Sequence, residues 1–160
     1  MPMTDPTNSL KSFQEHFSLG VIDVQPGALD RDLFVYQDQP NGTLRLSYVR
    51  LKGQTVTALV LFVLTEPIDG VPCFQLGYAV PEVYRSQGVA KDAVSAAIAE
   101  LKHGLGRNGA KPFFIETIVG VDNTASQKVA GATLGVETEA ITDEMSGLPA
   151  LRYLVKITYP

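Results

Sequence analysis

The stretch from residue 73 to residue 121 constrains the fold more than any other part of the chain. It reads as a strand over 73–80, a loop opened by Pro81, a helix from about Gln87 to His103, and an apolar strand over 112–121. The helix is inferred from Val89, Ala93, Val94, Ala97, Ile98 and Leu101, whose spacing follows one helical face. Lys102 and His103 suit its negative C-terminal end, and Gly104 is expected to terminate it. Residues 112–121 are nearly all apolar, as in a strand covered on both faces. Two strands joined through a helix imply one parallel pair, connected by a crossover.

The rest of the pattern is antiparallel. A first strand is expected over 18–24, ended by Pro26-Gly27. Strands over 33–36 and 43–51 flank Gln39-Pro40-Asn41-Gly42, and Asn-Gly between apolar runs is a strong hairpin signal. Residues 43–51 and 55–64 are joined across Lys52-Gly53, and 67–71 form a further turn. Gly77, inside the strand at 73–80, suggests a bulge or a close approach by another group. Asp122-Asn123-Thr124 supply helix-start residues, with Thr124 and Gln127 at capping-box spacing, and that helix runs to about Thr133. Residues 150–158 close the chain as a strand, with Leu151, Tyr153, Val155 and Ile157 on one face. The expected class is α/β (α+β): a mixed, mostly antiparallel central sheet around a β-α-β core. Residues 1–10 read as a flexible tail and 11–160 as one domain, as a length of 160 residues suggests.

Composition removes several functions. The net charge is −4, which argues against a nucleic-acid partner. The single cysteine, Cys73, precludes an intrachain disulfide and fits a reducing, cytoplasmic setting. The longest apolar stretch, 58–64, is too short to span a membrane, and the first residues do not resemble a signal peptide. His16 and His103 lack metal-ligand spacing to Cys73, so no metal is expected. There is no nucleophile elbow and no Gly-Lys-Ser/Thr phosphate loop.

One loop does suit an anion. Arg85-Ser86-Gln87-Gly88-Val89-Ala90 lies between strand and helix, where unpaired amides and a partial positive charge meet phosphate. Gly88 would let the backbone approach an oxygen, and Arg85 adds a forked donor. The alternative is a surface arginine and a glycine that merely shapes the loop. Gly104-Leu105-Gly106-Arg107-Asn108-Gly109 matches the dinucleotide pattern, but it follows a helix and precedes a strand, the reverse of what that site requires. It is read as a helix stop and loop.

Leu76-Gly77-Tyr78-Ala79-Val80-Pro81-Glu82-Val83-Tyr84 together with the loop at 85–90 resembles the central signature of GCN5-related N-acetyltransferases (GNAT). Asp122-Asn123-Thr124-Ala125-Ser126-Gln127-Lys128-Val129 resembles the Asn-x-x-Ser-x-x-Val segment of the ribosomal-protein alanine acetyltransferase branch. The resemblance covers roughly residues 55–157 and implies acetyl-CoA as cosubstrate and an amine, of a small molecule or a peptide, as acceptor. It implies that Arg85, Ser86, Gln87, Gly88, Val89 and Ala90 hold the pyrophosphate. Tyr78, Ala79 and Val80 would bond the pantetheine arm from a bulged strand. Asn123 would contact that arm, and Ser126 would sit near the thioester sulfur as a proton donor.

Three departures stand out. Many members carry a tyrosine acid where this chain has Ala130. The segment Ala132-Thr133-Leu134-Gly135-Val136 places glycine one position late. The two helices that wall the acceptor site in the family are not recognisable, because residues 25–50 look like turns and strands.

By chemistry, direct attack of an amine on a thioester needs a base, an oxyanion donor and help for the leaving thiolate. Ser126, Glu116 and Tyr78 are the catalytic candidates, with Glu82 and Tyr84 as weaker ones. A backbone amide of Tyr78 or Val80 is the expected oxyanion donor. Glu116 is singled out because a carboxylate inside an apolar strand is costly to bury unpaired. It is either a base or the partner of a cation on the sheet face. Ser126 and Asn123 are alternatively helix-capping residues. Two other classes stay open: a non-catalytic acyl-CoA-binding regulatory domain, and a partner-binding domain without cofactor. The N-terminal hairpin edges leave room for pairing with another chain, a homodimer included.

Overall fold

A computed structural model of the protein describes residues 6–107, 109 and 111–159. Helix α1 (Pro6–Ser18) comes first, followed by strands β1 (Gln25–Pro26), β2 (Leu33–Asp38), β3 (Arg45–Lys52), β4 (Thr55–Ile68) and β5 (Val71–Ala79). Helix α2 (Val89–Gly106) leads to β6 (Phe113–Gly120), and α3 (Thr124–Leu134) leads to β7 (Glu139–Thr142) and β8 (Pro149–Ile157). The strands form one sheet in the order β1-β2-β3-β4-β5-β6-β8-β7. Neighbours are antiparallel except β5 and β6, the pair joined through α2. This is the mixed sheet and β-α-β crossover expected from the sequence.

Strand alternation sorts the core onto two faces. Along β4, Ala58, Val60 and Phe62 pack under α2, against Ala93, Val94 and Leu101. The intervening Leu59 and Leu61 pack on the opposite face, under Leu10 and Phe13 of α1. The hairpin around Asn41-Gly42 forms as expected: β2 and β3 pair from Asp38↔Arg45, and both turn residues have positive φ (54° and 79°).

Several expectations are corrected. Residues 6–10, expected as part of a flexible tail, open α1, and Leu10 is buried there; residues 1–5 lie outside the described residues. Leu10, Phe13 and Phe17 carry the apolar stripe that docks this helix, at steps of three and four. The strand expected over 18–24 is absent. Ser18 ends α1, and Gly20 (φ 77°) closes it: Gly20 N donates to Phe17 O and Val21 N to His16 O, the double bond of a glycine C-cap. Strand pairing begins only at Gln25. Gly104 does not stop α2, which continues to Gly106; Asn108 of the false dinucleotide pattern lies outside the described residues. Gly77 marks no bulge in the β4–β5 ladder, whose register runs unbroken from Leu59↔Ala79 to Thr65↔Cys73. It marks a close approach instead, because a Cβ there would lie 3.3 Å from Pro6 Cγ. The N-cap of α3 is Asn123, one of the two expected caps, and not Thr124 of the capping-box spacing; the four-residue edge strand β7 was not foreseen.

Among the described residues, no helix is long and apolar enough to cross a membrane. Burial also leaves a measurable mark on alkaline stability. Tyr48 is 6% exposed, and desolvation, reinforced by the Glu100 carboxylate, pushes its pKa to about 12. The folded state therefore holds a proton that the unfolded chain releases near pH 10. Stability from this group is complete below pH 10 and is lost as pH rises toward 12, at about 1.4 kcal/mol per pH unit. Urea melts between pH 9 and 12 should show this decline, and Tyr48→Phe should flatten it.

Candidate active site

The cleft exists because β5 and β6 stay together for only three residues. Cys73, Phe74 and Gln75 pair with Phe114, Ile115 and Glu116, and then the strands separate. At the fork, Thr117 Oγ1 donates to Leu76 O at 2.8 Å, which satisfies a carbonyl the ladder has abandoned. The opening has a volume of about 1030 Å³. Its lining includes Tyr78 and Val80 from the α2 side of the sheet, and Leu61, Gly77 and Pro6 from the α1 side. The cleft therefore passes through the sheet.

One rim is the loop foreseen from sequence. Ser86 and Gly88 both have positive φ (62° and 74°), so the peptide groups alternate direction, as in anion-binding nests. Ser86 has a Cβ, and holding it there costs about 1–2 kcal/mol, the kind of strain that collects at binding sites. Gly88 is the N-cap of α2, and its carbonyl accepts from Asp92 N at 3.1 Å. The amides of Val89, Ala90 and Lys91 thus have no partner within the helix, and these residues line the cleft. Arg85 Nε donates to Val80 O at 3.0 Å, which ties the guanidinium to the end of the strand. Gln87 is the exception in this loop: its side chain bonds Val83 O and does not line the cleft.

The other rim is the start of α3. Asn123 Oδ1 accepts from Ser126 N at 3.0 Å, capping the helix and fixing Ser126 in its first turn. Tyr78 reaches across from β5, its hydroxyl 2.6 Å from Ser126 Oγ and donating to Ser126 O at 2.8 Å. Burial raises the Tyr78 pKa above the usual phenol range, offset in part by the Ser126 bond and reinforced by Tyr153. Tyr78, Ala79, Val80, Arg85, Ser86, Gly88, Val89, Ala90, Asn123 and Ser126 all line this one cleft.

Glu116 is not brought to it. It is 6% exposed, and Arg152 Nε donates to its Oε2 at 2.6 Å while Arg152 also meets Glu139 at 3.3 Å. Leu154 lies opposite Glu116 in the ladder, so Arg152 is its diagonal neighbour on the same face. The ion-pair alternative is the one realised. Glu82 is likewise outside the lining, whereas Tyr84 is part of it. Ala130 is fully buried in a small cluster with Val119 and Tyr153. Cys73 is buried, and desolvation raises its thiol pKa to about 11. Among the described residues, no cluster of three or more His, Cys, Asp or Glu is placed to hold a metal.

Two cations at the cleft were overlooked in the sequence, Lys91 and Lys128. Lys91 carried a signal. A lysine in the first turn of a helix opposes the helix dipole, and an anion there reverses the sign of that term.

No protein-family model matches the sequence, and no curated protein does. Solved structures do match. RimL, a ribosomal L7/L12 alpha-N-protein acetyltransferase, aligns at 19% identity over 72% of this chain and 72% of its own, with a TM-score of 0.52. RimL in complex with coenzyme A aligns at 20% identity over 71% of this chain and 62% of its own, with a TM-score of 0.51. A chimera of the spermidine N-acetyltransferase SpeG from Vibrio cholerae and hSSAT aligns at 16% identity over 72% of this chain and 68% of its own, with a TM-score of 0.54. The fold is that of the GNAT acetyltransferases. In that GNAT fold, the fork between β5 and β6 and the loop before α2 lie within the core that the resemblance marked out, residues 55–157.

Proposed function

We propose that this protein transfers an acetyl group from acetyl-CoA to a primary amine. The observation that carries the reading is the cleft through the sheet, with a strained nest and a helix N-terminus on one rim and the Tyr78–Ser126 pair on the other. The cleft's chemistry fits coenzyme A. The amides of residues 89–91, with Arg85, Lys91 and Lys128, offer concentrated positive potential in a chain of net charge −4. The separated edge of β5 offers backbone groups of Gly77–Ala79 to an amide-bearing arm.

Acetyl-CoA supplies an activated thioester, and the chain supplies the rest. Arg85, Ser86, Gly88, Val89 and Ala90 hold the phosphates, and Asn123 fixes Ser126 by capping α3. Tyr78 keeps its proton to high pH and passes it, directly or through Ser126, toward the departing sulfur. The backbone amide of Tyr78 or Val80 is the oxyanion donor. Glu116 has no part in this scheme, and a water chain takes the ammonium proton. Ala130 favours a non-catalytic acyl-CoA binder as the second reading, since no tyrosine stands on α3 there. Tyr78 weakens that reading by bringing a phenol to Ser126 from the strand instead.

Coenzyme A at 100 times its Kd should stabilise the protein by about 2.7 kcal/mol, read as a rise in melting temperature. Arg85→Ala should reduce the shift by at least half. Gly88→Val should remove it, because a β-branched residue resists φ 74°. A thiol-release assay over amines then separates enzyme from binder. No shift at millimolar coenzyme A, or an undiminished shift in both variants, overturns the assignment.

A further inference from the structure

Under α1 lies a second cavity that the acetyl-CoA reading leaves unused. Its volume is about 430 Å³, within the range of small-molecule sites. One wall is the α1 stripe Asn8, Ser12 and His16, spaced by four, and the other includes Tyr36 and Asp38 of β2 with Arg45 and Ser47 of β3. Leu61 lines both this cavity and the cleft, so the two are neighbours on the α1 side of the sheet. The phosphate-binding loop belongs to the α2 side, so an acyl group carried through the sheet arrives next to this cavity.

The charge pattern is specific. Among the described residues, Asp38 is the one carboxylate in the lining, and Arg45 holds it by a fork: Nε to Oδ1 at 2.9 Å and Nη2 to Oδ2 at 2.6 Å. His16 Nδ1 donates to Ser12 O at 2.7 Å. What remains for a ligand is mostly hydroxyl and amide groups above an apolar floor of Phe13, Leu59 and Leu61.

We infer that this cavity seats the part of the acceptor beyond its amine, and that the acceptor is a primary amine whose tail bears uncharged hydroxyl or amide groups. The inference rests on the acetyltransferase reading above. A second ammonium in the tail would face Arg45 and find Asp38 already engaged, so its desolvation goes uncompensated. A neutral polar tail bonds the serines, Asn8 and Tyr36 without that cost.

The test uses the full chain with saturating acetyl-CoA and three amines: glucosamine, glycyl-serinamide and spermidine. At least one of the first two should show kcat/KM tenfold or more above spermidine, and which of them leads tells a sugar-like tail from a peptide-like one. Ser12→Leu, an exposed helix position whose new side chain fills the cavity, should raise the acceptor KM at least tenfold while coenzyme A affinity is retained. Arg45→Met, which frees Asp38, should improve spermidine relative to the neutral amines by about tenfold. A wild-type preference for spermidine, or an acceptor KM unmoved by Ser12→Leu, overturns the inference. If coenzyme A binds but no amine is acetylated, the catalytic reading fails. Calorimetry of glycyl-serinamide and glucosamine against the coenzyme A-loaded protein then decides the cavity, and no binding, or binding that Ser12→Leu leaves intact, overturns it.

Discussion

Replacing Tyr78 by phenylalanine is expected to lower kcat by about 10²–10⁴-fold, the usual span for a general acid, with little change in coenzyme A affinity. The ring stays and only the hydroxyl goes, so the lost bonds to Ser126 O and Oγ cost about 1 kcal/mol each in stability at most. The pH profile separates chemistry from structure. Burial raises the Tyr78 pKa above the usual phenol value, so if Tyr78 donates the proton, kcat should hold to higher pH than a free phenol would allow and then fall. Tyr78→Phe should lose that alkaline limb along with the activity. Ser126→Ala should have the smaller effect, because the phenol still stands at the same rim. A phenylalanine variant within threefold of wild type, with the limb intact, would remove Tyr78 from the mechanism.

Glu100→Ala should give the largest loss of stability of any single change considered. Glu100 stands on the buried stripe of α2 and is 6% exposed. Its Oε2 accepts from Ala28 N at 3.0 Å, and its Oε1 accepts from Leu29 N at 2.5 Å and Asp30 N at 2.8 Å. Alanine would take the acceptor from three amides at once, in a loop whose close fit to the carboxylate shows at Gly27, where a Cβ would lie 2.7 Å from Glu100 Oε1. Bonds to charged acceptors and stranded donors together suggest a loss of about 3–5 kcal/mol. At this chain length that corresponds to a melting temperature lower by roughly 6–20 °C. Glu100→Gln keeps one acceptor oxygen and should fall between. The salt bridges of Arg50 to Asp30 (2.8 Å) and Asp92 (3.0 Å) hold the same loop to α2 but are more exposed and should matter less. Urea denaturation at neutral pH measures both variants. A Glu100→Ala loss under 1 kcal/mol would mean that the loop finds other partners.

What was legible in the sequence was what local chemistry decides. The Asn41-Gly42 turn, the periodic face of α2 and the apolar run of β6 each announce themselves within a dozen residues, and each forms where expected. The anion loop was also legible, because Arg85, Gly88 and the helix start are contiguous. Helix α1 was not, since a polar segment opening on Pro6 holds only Leu10, Phe13 and Phe17 as docking residues, and their value depends on a sheet face built later in the chain. Glu116 stands out in the sequence because a buried carboxylate is costly, but its partner is Arg152, reachable only through the β6–β8 register. Glu100 shows the converse. A glutamate among Ala93, Val94, Ala97 and Leu101 breaks the apolar stripe, and its partners are amides some seventy residues upstream. Tyr78 and Ser126 meet across forty-eight positions for the same reason.

The short ladder between β5 and β6 has a mechanical consequence. Strands β1 to β5 form one leaf and β6 to β8 another, and a three-residue seam at Cys73–Gln75 is their direct stitching. Each leaf is stiff along its own antiparallel rungs, so compliance concentrates at the seam. A molecule lying in the fork bridges the two leaves and lengthens their stitching, so whatever occupies it also sets how far they can splay. Rigidity here is something the protein borrows from its occupant, and the empty molecule should be the looser of the two.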